Sequence, residues 1–157
     1  MRVGLGVDVH RFGGDPPLLL GGVTVDERRG LEGTSDADVL AHAVTDAVLG
    51  AAALGDMGDH FPSSDPRWAG ADSMEMLASA VAMAAGAGLC LVSLDVTVVA
   101  ERVRVAPHRA AIRSRLGAVA GIPVSAVSVK ATSTDGLGFL GDDRGVAALA
   151  VAVLREG

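Results

Sequence analysis

Residues 34–50, TSDADVLAHAVTDAVLG, predict a helix that is apolar on most sides and carries one polar stripe. Asp38, His42 and Asp46 follow one another at four-residue spacing, which places their side chains on a single helical face. Alanine, valine and leucine occupy the other sides. Two interpretations are open, because such a stripe is either an ordinary solvated face or part of a functional site.

The core of this chain must be built from small side chains. Half of the 157 residues are apolar, but aromatic residues make up only 3% and tyrosine is absent. The length predicts one domain, residues 1–157. The high mean hydropathy indicates more apolar surface than one small domain can bury. We therefore expect the excess to be buried in contacts between subunits.

Charge and cysteine content exclude several classes of protein. A net charge of −6 at pH 7 argues against a nucleic-acid partner, whose backbone requires clustered basic residues. The single cysteine, Cys90, excludes an internal disulfide framework, and its apolar neighbours predict a core position. The opening segment MRVGLGVDVH lacks the apolar run of a signal peptide, and no apolar stretch has the length of a membrane helix. We therefore expect a cytoplasmic protein without a membrane partner.

Predicted strands and helices alternate along the chain after an early hairpin centred on Gly21 and Gly22. Ser35 or Asp36 is expected to cap the helix that runs to about Ala53. Two further helices are predicted at residues 73–85 and 109–120, and strands at residues 2–10, 89–100, 126–132 and 145–154. This order predicts an α+β fold, an α/β two-layer arrangement in which helices pack on one face of a mixed β-sheet.

A short D-x-H motif lies in the first predicted strand. Asp8 and His10 are two residues apart, so their side chains point to the same face of the strand. Together with His42 they would supply three ligands and leave one position open, as in a catalytic zinc site. Asp38 and Asp46 are placed to hydrogen-bond the other ring nitrogen of His42. Alone the motif is a weak signal, because a strand end that emerges into solvent also carries polar residues.

Two polar segments later in the chain are candidates for substrate contacts. GDMGDHFPSSDP, residues 55–66, places acidic residues among glycines and prolines. KATSTDG, residues 130–136, offers hydroxyls and backbone N–H groups to a phosphate, and Asp135 offers a carboxylate to a divalent cation. The alternative interpretations are an ordinary solvated loop and a Ser/Thr-rich turn.

Five segments, in this order and at these separations, resemble the 2-C-methyl-D-erythritol 2,4-cyclodiphosphate synthase family. They are GVDVHRF, PLLLGGV, GLEGTSDADVLAHAVTDAVLGAAALGDMGDHFPSSDPRWAGADS, AERVRVAPHR and VKATSTDGLGFLG. The likeness extends from Arg2 to about Leu154. It implies a homotrimer assembled around a three-fold axis, with active sites between neighbouring subunits. It also implies a phosphorus–oxygen lyase of the non-mevalonate isoprenoid pathway.

The resemblance assigns roles to individual residues. Asp8, His10 and His42 match the ligands of Zn²⁺ or another divalent transition metal, and Asp135 matches a contact of Mg²⁺ or Mn²⁺. Thr34 and Ser133 stand at the catalytic positions. The substrate-binding positions, several of which form a cytidine pocket on a partner subunit, are Ser35, Asp56, Met57, Gly58, Phe61, Pro62, Ser63, Ser64, Asp65, Ala100, Arg104, Val105, Ala106, Ala131, Thr132, Ser133, Thr134, Asp135, Phe139 and Asp142.

The implied reaction is intramolecular. The 2-phosphate of 4-diphosphocytidyl-2-C-methyl-D-erythritol 2-phosphate attacks the β-phosphorus, CMP leaves, and a cyclic diphosphate forms. The reaction needs no protein nucleophile, because positioning and charge neutralisation are sufficient.

Several residues depart from the pattern of the family; Val103, Ser133, Asp135 and Arg144 are among them, and the departures at Thr34 and Asp142 matter most. Thr34 stands where the family has a histidine beside the reacting phosphates, and Asp142 replaces an arginine near the trimer axis. Some members bind isoprenoid diphosphates at that axis, and we do not expect such binding here. These departures leave a second hypothesis open: a catalytically weakened homologue that retains metal and cytidine-nucleotide binding.

Overall fold

The computed structural model describes residues 1–157 and contains a five-stranded sheet and a separate hairpin. The strands of the sheet are β1 (Arg2–Gly14), β4 (Gly30–Leu31), β5 (Leu89–Val99), β6 (Val127–Thr132) and β7 (Gly145–Glu156), and the hairpin pairs β2 (Leu18–Leu20) with β3 (Val23–Asp26). The order in the sheet is β4–β1–β7–β5–β6, antiparallel except for the parallel pair β5–β6. The predicted mixed sheet is confirmed, and so is the strand at the carboxyl end of the chain.

The longer helices cover one face of this sheet. The helices are α1 (Val39–Ala52), α2 (Met57–His60), α3 (Ser73–Gly86), α4 (Arg109–Ala120) and α5 (Gly138–Gly141). α1 packs on β1 and β7, α3 packs against α1, and α4 packs on β6. The core between them consists mainly of alanine, valine and leucine, as the composition predicts. None of the helices combines the length and the apolar character needed to cross a membrane.

Two glycines bring β1 and α1 unusually close together. A Cβ atom added to Gly6 would lie 1.9 Å from the carbonyl oxygen of Ala43, and one added to Gly4 would lie 2.0 Å from that of Ala47. Strand and helix therefore meet backbone to backbone, which only glycine permits at these positions. This contact sets the distance between the D-x-H motif on β1 and His42 on α1.

The start of α1 differs from the prediction. Asp38 is the N-cap, and neither Ser35 nor Asp36 has that role. The Asp38 carboxylate accepts a hydrogen bond from the first turn of the helix and two more from the N–H groups of Gly21 and Gly22 in the hairpin turn. Because the hairpin supplies these donors, the cap is chosen by a contact between segments that are distant in sequence.

The face of β1 that points away from the helices is apolar and uncovered. Val3, Leu5, Val7 and Val9 are between 45% and 67% exposed. The antiparallel register places Val153, Val151, Leu149 and Ala147 of β7 beside them, which gives an apolar surface two strands wide. A contiguous surface of this kind is typical of an interface.

Cys90 is the clearest error of the core prediction. It is exposed, whereas its neighbour Leu89 is buried. Successive residues of a strand point to opposite faces, and Cys90 lies on the face opposite to Leu89. Apolar residues adjacent in sequence therefore do not show which face of the sheet Cys90 occupies.

Candidate metal and substrate site

The three predicted metal ligands lie together at the point where β1 passes α1. Asp8 Oδ2 is 2.8 Å from His10 Nε2 and 3.0 Å from His42 Nδ1, and the two ring nitrogens are 3.2 Å apart. Ligands bound at the usual zinc distances with tetrahedral angles are separated by about 3.3 Å. The arrangement therefore fits a divalent metal held by two imidazoles and one carboxylate, with room for a fourth ligand.

The surroundings of both histidines fix which ring nitrogen faces this point. His10 Nδ1 hydrogen-bonds to the backbone carbonyl oxygen of Glu32, which leaves Nε2 to the cluster. His42 presents Nδ1 to the cluster, and its Nε2 lies 2.8 Å from the hydroxyl oxygen of Ser73. A hydrogen bond at the outer nitrogen is the usual support of a metal-binding imidazole.

The electrostatics of the cluster favour a negative charge on Asp8. Burial alone would raise the pKa of the Asp8 carboxyl, but hydrogen bonds to His10 and His42 outweigh it and hold that pKa well below its usual range. Burial likewise opposes protonation of His10, but Asp8 and the Glu32 carbonyl raise the pKa of this imidazole above its usual value. The three side chains thus converge on a point that attracts a cation.

The prediction that Asp38 and Asp46 support His42 is corrected by the hydrogen bonds that they make. Asp38 is buried, and its carboxylate is engaged by backbone N–H groups of the hairpin and of α1. Asp46 accepts from the N–H of Met57 at 2.8 Å. Burial raises the pKa of both carboxyls, and the backbone donors oppose that shift. The stripe at four-residue spacing therefore has three separate functions, and only its histidine faces the cluster.

A small cavity of about 170 Å³ opens beside the metal cluster. Its lining residues come from β1, from the loop before α1, from α1, α2 and α3, and from the segment between α2 and α3: His10, Thr34, Ser35, His42, Met57, Phe61, Ser63, Trp68 and Met76. Phe61 and Trp68 meet edge to face, with ring centroids 5.1 Å apart. The lining combines apolar side chains with hydroxyls and two of the predicted metal ligands, which suits a small phosphorylated molecule.

The other predicted residues of the 55–66 segment do not line this cavity, although they alternate in sequence with Met57, Phe61 and Ser63, which do. Asp56 caps α2 and forms a capping box with Asp59, and Gly58 lies within the helix. Asp65 caps a short 3₁₀ turn and pairs with Arg67. Arg67 lowers the pKa of that carboxyl. Pro62 and Ser64 lie in the loop between α2 and this turn.

The remaining predicted contacts lie at the same end of the sheet but on other strands. Ala100, Arg104, Val105 and Ala106 follow β5, whereas Ala131 and Thr132 end β6 and Ser133, Thr134 and Asp135 follow it. The register pairs Val99 with Thr132, and β5 lies two strands and β6 three strands away from β1. At the usual strand spacing β6 is about 14 Å from β1. None of these residues lines the cavity beside the cluster, and Asp135 is not one of its metal-binding residues.

Phe139 and Asp142 lie outside the cavity beside the metal cluster. Phe139 belongs to α5 and lines a second cavity of about 580 Å³ with Phe12 and Arg144, and His10 lines both this cavity and the one beside the cluster. Asp142 follows α5, is exposed, and is not among the residues that line this cavity. The two residues therefore remain predictions as substrate contacts.

Reasoning from the sequence missed three contributors to the site. Ser73 enters the sequence analysis only as the first residue of a predicted helix, but its hydroxyl contacts His42. Trp68 and Met76 line the cavity, although neither carries a motif. The polar pair Asp72 and Ser73 at the start of α3 is the signal in the sequence for Ser73.

Comparisons with known proteins agree on one family. A model of the YgbB family matches residues 1–155. The 2-C-methyl-D-erythritol 2,4-cyclodiphosphate synthase of Symbiobacterium thermophilum is 51% identical over 154 residues, which cover 98% of each chain. The enzyme of that name from Bordetella petrii is 50% identical over 155 residues, 99% of this chain and 96% of the relative.

Solved structures have the same fold. The bifunctional IspDF of Campylobacter jejuni superposes with a TM-score of 0.97 at 39% identity, and the match covers 99% of this chain and 42% of that protein. A 2C-methyl-D-erythritol-2,4-cyclodiphosphate synthase with bound CDP superposes with a TM-score of 0.89 at 33% identity, over 98% of this chain and all of that one. This chain therefore belongs to the 2-C-methyl-D-erythritol 2,4-cyclodiphosphate synthase family.

Proposed function

We propose that this enzyme converts 4-diphosphocytidyl-2-C-methyl-D-erythritol 2-phosphate to 2-C-methyl-D-erythritol 2,4-cyclodiphosphate and CMP. The observation that carries the proposal is the convergence of Asp8, His10 and His42 beside a small cavity in a chain of this family. The enzyme is accordingly a phosphorus–oxygen lyase of the non-mevalonate isoprenoid pathway, and the cytoplasm is its expected compartment.

The reaction makes one phosphorus–oxygen bond and breaks another. An oxygen of the 2-phosphate attacks the β-phosphorus, and the bond from that phosphorus to the oxygen bridging to the α-phosphate breaks. CMP leaves with the electron pair of that bond. The protein must bring two anionic groups together and neutralise their repulsion, which requires positioning and electrostatic stabilisation.

The chain supplies suitable groups on both sides of the reacting phosphates. Asp8, His10 and His42 would hold Zn²⁺ or a similar transition metal, and Asp135 would hold Mg²⁺ or Mn²⁺. These ions, when bound, act as Lewis acids and as templates for the phosphates. Ser35 and Thr34 line the cavity beside the cluster and are available as hydrogen-bond donors to the same anionic groups.

Cytidine recognition is assigned to the loops that follow β5 and β6. Ala100 to Ala106 and Ala131 to Ser133 offer backbone groups and hydroxyls at one end of the sheet. The relatives with bound CDP support a cytidine diphosphate ligand for this chain. Because β5 and β6 lie about 10 Å and about 14 Å from the strand that carries Asp8 and His10, we infer that each complete site combines the cluster of one subunit with the loops of another.

The uncovered apolar face of β1 and β7 provides the surface for that assembly. We expect a homotrimer, and light scattering at micromolar concentration should give a mass three times that of the 15.7 kDa chain. Leu5→Asp should dissociate the trimer, since Leu5 is 65% exposed and lies between apolar neighbours. Metal binding should persist in this variant, because all three ligands belong to one chain, whereas turnover should be lost. A fully active monomer would contradict both the trimer and the shared site.

Phosphorus NMR tests the reaction directly. Purified protein with the substrate, Mg²⁺ and Zn²⁺ should yield CMP and the cyclic diphosphate. His42→Ala should abolish this conversion and lose most of the bound zinc, because two ligands cannot replace the set of three. His108→Ala is the control for zinc content, since His108 lies outside the cluster. Failure of the wild-type protein to form the cyclic product would refute the proposed function.

The alternative of a weakened homologue that only binds metal and nucleotide is not favoured. Its basis is Thr34 and Asp142, but relatives that are about half identical along the whole chain bear the name of the cyclodiphosphate synthase. The metal ligands and the hydroxyls of Thr132 and Ser133 are all present.

A further inference from the structure

His42 is contacted at both of its ring nitrogens, and the outer contact is unusually well defined. Nδ1 faces Asp8 and His10, and Nε2 lies 2.8 Å from Ser73 Oγ and 3.0 Å from Ser35 Oγ. A neutral imidazole that offers one nitrogen to a metal carries its proton on the other. The Nε2–H group must therefore donate a hydrogen bond when a metal is bound at Nδ1.

The direction of the hydrogen bond between Ser73 and Asp36 follows from the charge of the carboxylate. Ser73 Oγ also contacts Asp36 Oδ1, and an ionised carboxylate can only accept. Ser73 therefore donates its hydroxyl proton to Asp36 and keeps a lone pair for the Nε2–H of His42. The backbone N–H of Ser73 donates to the other Asp36 oxygen at 3.2 Å, which holds the carboxylate in place.

Ser73 and Ser35, the two serines near His42, differ in how far they are buried. Ser73 is fully buried, so water does not compete for its hydroxyl. Ser35 is less buried and borders the cavity, and its oxygen already accepts from the N–H of Ala37 at 3.2 Å. Ser35 Oγ also lies 3.2 Å from Ser73 Oγ, so its hydroxyl proton can be donated either to Ser73 or to a ligand in the cavity, whereas the hydroxyl proton of Ser73 is committed to Asp36.

We propose that Ser73 and Asp36 are positioning residues that fix the tautomer and orientation of His42 and thereby tighten metal binding. Neither residue reaches the metal cluster itself, so both act through His42. The inference rests on the metal site of the proposed function, but it requires no particular substrate. A test without substrate therefore distinguishes its failure from a failure of the proposed reaction.

The experiment measures the zinc dissociation constant by competition with a chelator, without substrate. Ser73→Ala should raise the constant by about 10- to 100-fold, as is usual when the outer partner of a metal-binding histidine is lost. Ser35→Ala removes a hydroxyl at a similar distance from the same nitrogen and should change the constant little. Equal constants for wild type and a folded Ser73→Ala variant would overturn the proposal.

A spectroscopic measurement on the wild-type protein covers the case in which Ser73→Ala does not fold. With ¹⁵N-labelled histidine and bound zinc, the Nε2 of His42 should carry a proton that is protected from exchange with water. In Ser35→Ala that signal should persist. A wild-type spectrum in which Nδ1 carries the proton, or in which the Nε2 proton exchanges freely, would refute the positioning role.

Discussion

Replacing Thr34 with histidine is expected to raise kcat by about 10- to 1,000-fold, a gain of roughly 1.4–4 kcal/mol in transition-state stabilisation, with little change in KM. Thr34 is exposed and borders the cavity with His10, Ser35 and His42, so a larger side chain can enter without displacing the core. Threonine donates one hydrogen bond to a phosphate, whereas an imidazolium adds a positive charge beside the developing negative charge. Steady-state assays of CMP release measure the effect.

Thr34→Gln is the matched control, because glutamine extends as far into the cavity as histidine but carries no charge. A gain confined to Thr34→His would identify charge as the missing contribution. An unchanged kcat in an otherwise active Thr34→His enzyme would show that position 34 has no catalytic role in this chain.

Gly6→Ala is expected to lower the free energy of unfolding by about 3 kcal/mol. The added methyl group would lie 1.9 Å from the carbonyl oxygen of Ala43 and 2.7 Å from the backbone nitrogen of Ala47. Both atoms belong to the backbone of α1, so no side chain can rotate away and the helix itself must move. Because His42 is carried by this helix, zinc affinity should fall as well. Urea unfolding of the metal-free protein at fixed concentration measures the first effect, and zinc titration measures the second.

A glycine-to-alanine substitution at Gly50, away from the contact between β1 and α1, provides the control. A Cβ atom added to Gly50 meets nothing within 4 Å, and this residue is exposed near the end of α1. Gly50→Ala should leave zinc affinity unchanged and stabilise the protein by about 0.5–1 kcal/mol through helix propensity. Equal stabilities of the two variants would disprove the close contact between strand and helix.

The pairing of Asp8 with His10 was predictable because it follows from a local rule, whereas the approach of His42 depends on the packing of α1 on β1. Strand periodicity places Asp8 and His10 on one face, and the structure confirms that they converge. The apolar character of the chain predicted excess apolar surface, and the uncovered face of β1 is where it lies. These inferences needed only the period of an element or the composition of the chain.

Contacts between distant segments set the limits of prediction. Ser35, Asp36 and Asp38 are all capable caps, and the choice among them depends on the hairpin that lies against α1. Regular spacing suggested that Asp46 would support His42, but the N–H of Met57 occupies its carboxylate. Spacing along a helix defines a face, but tertiary contacts decide what each residue on that face binds.

The hydrogen bonds of Asp38 have a consequence for how the chain unfolds. A turn of two glycines at the end of a short hairpin would ordinarily open in independent, low-energy fluctuations. Here the N–H groups of Gly21 and Gly22 bind a carboxylate that is fully buried and also begins α1. Detaching the hairpin would deprive that carboxylate of two of its three backbone donors, which is costly. The hairpin and the helix that carries His42 therefore form one cooperative unit, and the metal site is protected from local opening at this edge.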